Sequence, residues 1–127
     1  MDPAEFRTLR QSLLLSEKEI SMLTLAKEGR VKAWEAGITP IPEAEAGLLQ
    51  DIDRKINQSM SDVLGAVGNK KEVTLVRFKD SRQFEAKGPS LRPIPQFLSF
   101  RCHCALIMRL AIVFRAAGKT VTIQYLK

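Results

Sequence analysis

The stretch Glu72-Val-Thr-Leu-Val-Arg-Phe-Lys79 decides the fold class. Apolar and polar side chains alternate along it and β-branched residues are frequent, the pattern of a half-buried strand. Lys79-Asp-Ser-Arg82 reads as a turn and Gln83-Phe-Glu-Ala-Lys87 as a shorter returning strand, so a β-hairpin is expected here. Thr120-Val-Thr-Ile-Gln-Tyr-Leu126 alternates in the same way and is expected to add a third strand. Between them, Gly88–Pro95 carries prolines at 89, 93 and 95 and reads as an irregular loop, followed by a helix over 97–117 that Gly118 ends.

Outward from this β-rich segment, the N-terminal half reads as helix. Residues 3–14 open with Pro3 at the first turn and place Phe6, Leu9 and Leu13 on one face. Ser16-Glu-Lys-Glu19 is a capping box, with Leu15 and Ile20 at the positions of a hydrophobic staple, so one helix is expected from 16 to 36 and Gly37 as its stop. Pro40 and Pro42 force an extended connection. A long helix is then expected over 43–67. Its stripe of Leu49, Ile52, Ile56, Met60 and Val63 is narrow and nearly heptad, which suits either intrachain packing or self-association with a second copy. Helices first and a mixed strand-strand-helix-strand end make an α+β fold, expected as a single domain over 1–127.

Charge divides the chain more sharply than composition does. Residues 1–68 carry eight basic and eleven acidic side chains, a net −3, whereas residues 69–127 carry twelve basic and three acidic ones, a net +9. A segment so one-sided points to an anionic partner: nucleic acid, an anionic membrane surface or an acidic protein. At about 100° per residue, Arg101, Arg109 and Arg115 fall within an arc of about 120° on the last helix. Arginine's planar fork suits phosphate, and such a stripe would contact backbone rather than read bases. A second basic group surrounds the expected hairpin: Lys70, Lys71, Arg77, Lys79 and Arg82, with Lys87 and Arg92 beyond. Phe78, Phe84 or Tyr125 would stack on bases if exposed, and would be core if not.

Other chemistry finds little purchase. Cys102-His103-Cys104 contains all three Cys and His residues of the chain, one short of a tetrahedral zinc site, and a helix would point the two thiols about 200° apart. Gly118-Lys-Thr120 imitates a phosphate loop but lies between a helix and a strand, the reverse of the order such a loop needs. No catalytic dyad or metal spacing emerges, so no enzyme activity, metal or cofactor is expected. The most apolar run, 104–114, is interrupted by Arg109 and too short to span a bilayer. No signal-peptide pattern opens the sequence, and with two cysteines an intracellular location is expected.

Leu15-Ser-Glu-Lys-Glu-Ile-Ser-Met-Leu-Thr-Leu-Ala-Lys-Glu-Gly29 is similar to the opening helix of LuxR-type helix-turn-helix regulators. That resemblance implies a recognition helix shortly after, where this sequence has Pro40 and Pro42 and then an acidic helix start. The overall composition resembles small viral accessory or structural proteins. The expected function is therefore a small non-enzymatic nucleic-acid-binding protein, RNA favoured over DNA, self-associating, and gripping phosphate through its basic half. The alternatives are a protein-interaction module and a matrix-like protein on anionic membranes.

Overall fold

The computed structural model describes residues 1–91 and 100–127. These described residues form an α+β fold with six helices and a two-stranded parallel sheet. Two compact units divide at Arg54 and Lys55, inside the longest helix.

The first unit, Met1–Arg54, is helical. Helix α1 (Pro3–Ser12) starts at Asp2, whose carboxylate accepts from the Glu5 N–H at 2.8 Å and is thereby held below its ordinary pKa. It ends two residues earlier than expected. Leu14 turns left-handed, and the Leu15 N–H closes onto the Arg10 carbonyl. The capping box at Ser16 forms as expected, with both reciprocal bonds present, and opens α2 (Glu17–Thr24).

The single helix expected over 16–36 is two. Leu25 adopts φ 60°, and α3 (Glu28–Glu35) starts afresh. The break is local chemistry. Ser21 Oγ donates to the Ala26 carbonyl, and Thr24 Oγ1 donates to Ile20 O while accepting from the Ala26 N–H. Hydroxyls thus take over backbone groups that a continuing helix would have used. Helix α2 then folds back on α3, and α3 on α1. Gly37, at φ 74°, stops α3 as expected, with the Ile38 N–H reaching back to the Ala33 carbonyl. Phe6, Leu13, Ile20, Val31 and Trp34 form the core, with Trp34 edge-to-face on Phe6 at 6.0 Å. Burying each such side chain contributes about 1.5–3 kcal/mol.

Helix α4 (Glu43–Val67) has the bounds that its periodicity predicts. In the second unit, β1 (Glu72–Arg77) runs parallel to β2 (Thr120–Tyr125), in register from Glu72 opposite Thr120 to Arg77 opposite Tyr125. The expected hairpin does not form: Ser81–Leu91 is helix α5. Asp80 caps it, accepting from the Gln83 N–H at 2.9 Å, while the Gln83 side chain accepts from the Lys79 N–H at 2.7 Å. This is an Asp-x-x-Gln capping pair, and the Gln, Glu, Ala and Lys that follow favour helix over strand. A helical crossover in place of a tight turn lets β2 return parallel, as the register shows. Helix α5 also takes in Gly88–Leu91 of the expected loop, since Pro89 withholds one backbone donor without ending the helix. The rest of that loop, from Arg92 to Pro95, and the expected start of the next helix at 97 lie outside the described residues. Helix α6 (Phe100–Ala116) packs on both strands.

Candidate nucleic-acid interface

The two ends of the sheet gather different cations. At the end where the strands begin, Lys70 and Lys71 lead into β1, and the Thr120 N–H bonds the Lys71 carbonyl at 2.9 Å. Lys119 Nζ reaches across to the carbonyls of Gly68, at 3.0 Å, and of Lys70. Arg115 lies exposed in the last turn of α6, just before the Gly118 turn into β2. At the opposite end, the Leu126 N–H bonds the Arg77 carbonyl at 2.8 Å and Gln83 Nε2 donates to the Leu126 carbonyl at 3.0 Å. These bonds bring Arg77, Lys79, Arg82 and Lys127 to one edge. Arg101 is close by, in the first turn of α6 beside Phe100, whose ring lies 5.6 Å from the Arg77 guanidinium carbon. Six strand residues span about 20 Å, more than twice the ~8 Å screening length at physiological salt, so the two groups act as separate fields.

Among the described residues, Lys70, Lys71, Lys79, Arg82, Arg115 and Lys127 are exposed and have no carboxylate at ion-pairing distance. In the first unit Arg7 and Arg10 pair with Glu35, Lys32 with Glu28, and Arg54 with Asp51, while Lys18, Lys27 and Arg30 are exposed with no carboxylate at ion-pairing distance among the described residues. The second unit, Lys55–Lys127, holds thirteen basic and four acidic side chains, a net +9, against −3 for the first.

The arginines expected to form one stripe differ in setting. Arg109 is half-buried and donates to Asn57 Oδ1 at 3.1 Å, while Arg101 and Arg115 are exposed. Between these two on the same face lie Met108 and Ile112, 52% and 61% exposed. The helical angles that align the arginines place both apolar residues inside the same arc, so this face is mixed rather than purely basic.

Of the expected self-association stripe, Leu49, Ile52 and Ile56 are fully buried within the chain, and only Met60 and Val63 keep partial exposure. The aromatic residues separate in the same way. Phe78 and Phe84 are core, at 4% and 2% exposure, packed edge-to-face on each other at 5.4 Å and around the His103 ring. Tyr125 is 56% exposed, with the Arg77 guanidinium 5.7 Å from its ring centre.

His103 belongs to this core. Its Nε2 accepts from the Phe78 N–H at 3.3 Å, which assigns the neutral ring's proton to Nδ1. Cys102 is buried, and burial pushes the half-buried Cys104 thiol above its ordinary pKa, partly opposed by Arg77 and Arg101. An apolar cavity of about 410 Å³ lies beside them, lined by Val63, Leu75, Phe78, Leu106 and Leu110 among others. No helix among the described residues is long and apolar enough to cross a membrane.

The sequence matches no protein-family model, and no curated protein matches it significantly.

Proposed function

We propose that this chain is a non-enzymatic nucleic-acid-binding protein that holds phosphate backbone through its Lys55–Lys127 unit, acts inside the cell, and prefers RNA. One observation carries the reading: six exposed cations, Lys70, Lys71, Lys79, Arg82, Arg115 and Lys127, without carboxylate partners among the described residues, in a unit of net +9 where the first unit nets −3. An unpaired surface cation does little for stability. It gains by releasing counterions from a polyanion, and several together give salt-dependent affinity with little sequence choice. Fluorescence anisotropy with a labelled oligoribonucleotide tests this. Lys70→Ala/Lys71→Ala and Lys79→Ala/Arg82→Ala are each expected to weaken binding. Unchanged affinity in both pairs would refute the assignment.

A second reading is favoured by Met108 and Ile112, which leave an apolar pair exposed between arginines. In it the second unit self-associates through α6 rather than through the buried part of the α4 stripe. Light scattering on Met108→Ser/Ile112→Ser tests it: an oligomer that falls to monomer supports it, and an unchanged mass removes it.

A further inference from the structure

Where β1 and β2 end, Arg77, Ile123, Gln124 and Tyr125 line a shallow cavity of about 270 Å³. That is just under the ~300 Å³ at which drug-sized sites begin, the scale of one planar ring system. Its composition is specific. The Arg77 guanidinium carbon lies over both the Phe100 ring, 5.6 Å from its centre, and the Tyr125 ring, 5.7 Å from its centre, and Arg77 Nε donates to the Phe78 carbonyl at 3.1 Å. The guanidinium is therefore held in place, while the Tyr125 ring stays mostly open to solvent. Ile123 shares the Tyr125 face of β2, two residues before it, and gives the cavity an apolar wall. Lys79, Arg82 and Lys127 lie exposed at the same end of the sheet, joined to it through the Arg77–Leu126 and Gln83–Leu126 hydrogen bonds.

We propose that this cavity receives one base of a single-stranded nucleic acid, stacked on Tyr125 against Ile123, with Lys79, Arg82 and Lys127 holding the flanking phosphates. The inference rests on the nucleic-acid reading above and adds the substrate class. An aromatic face accepts any base, so it gives affinity without sequence choice. A duplex hides those faces in its own stack and leaves only its phosphates to be gripped. The site therefore discriminates single strands from duplexes, a distinction that surface cations alone do not make.

The test measures binding of the full chain to labelled oligouridine, to oligothymidine and to a duplex of equal length. Tyr125→Ala and Tyr125→Leu are each expected to bind both single strands about tenfold more weakly, with the salt slope and the duplex affinity unchanged. Tyr125→Phe keeps the ring and should remain within about twofold of the parent. Because Tyr125 is exposed and the Leu variant keeps its bulk, folding is not at stake. If the parent binds with steep salt dependence but the Ala and Leu variants match it on single strands, or lose the duplex equally, the base site is wrong and the phosphate reading stands. If the parent shows no salt-dependent binding to any of the three, both fall.

Discussion

Replacing Arg10 by Met should destabilise the first unit by about 4 kcal/mol. Arg10 forks the Glu35 carboxylate with Nε at 2.9 Å and Nη2 at 2.8 Å, and gives its third bond, from Nη1, to the Leu15 carbonyl at 2.9 Å. The two side chains are only 10% and 6% exposed. Removing one partner leaves a buried carboxylate whose remaining cation, Arg7, stands 3.8 Å away on a side chain 62% exposed. A pair broken in this way costs about 3–5 kcal/mol, whereas replacing both charges by apolar groups is often nearly neutral. Arg10→Met/Glu35→Leu should therefore recover most of the loss. Urea unfolding followed by Trp34, the single tryptophan and 2% exposed in the same core, reads this directly. With an m-value of about 2 kcal/mol/M, the single variant's midpoint should fall by about 2 M and the double variant's by less than about 0.5 M. A double variant as unstable as the single one, or a single variant within about 1 kcal/mol of the parent, would refute the argument.

Leu25 holds φ 60° while 93% exposed, so Leu25→Gly removes strain without losing packing and should raise the urea midpoint, by up to about 1 kcal/mol of stability. A lowered midpoint would contradict this. Asp80→Ala should cost about 1 kcal/mol and speed hydrogen exchange at the Gln83 amide, which then loses its acceptor. At pH 7.0, Cys104 should alkylate more slowly than free cysteine, because burial raises its pKa and thins the thiolate. Its rate should climb with pH, while Cys102 stays protected until the chain unfolds.

What the sequence discloses is local chemistry with one solution. Ser16, Gly37 and the α4 stripe each allow only one backbone arrangement, and each forms as its pattern predicts. The break at Leu25 is harder to read, because Ser21 and Thr24 fit a helix as well as they unmake one. The choice depends on α2 finding α3 to pack against. Asp80-Ser-Arg-Gln83 carries the same capping logic as Ser16–Glu19, but polar residues after a strand also spell a turn. Taking the turn reverses the sheet from parallel to antiparallel. At the candidate interface, charge was legible and exposure was not. Alternation marks Phe84 and Tyr125 alike, yet Phe84 lies on helix α5 and packs on Phe78 and His103, whereas Tyr125 stays open near the end of β2. The apolar stripe of α4 showed a face to be covered but not what covers it.

The central claim is that the exposed cations of the second unit without carboxylate partners among the described residues grip phosphate, and the salt dependence of RNA binding measures it most directly. If Lys70, Lys71, Lys79, Arg82, Arg115 and Lys127 each release a counterion from a single strand, log K against log salt has a slope of about −4, an affinity loss of about 300-fold between 50 and 200 mM salt. A slope near zero, with binding or without it, would contradict the account.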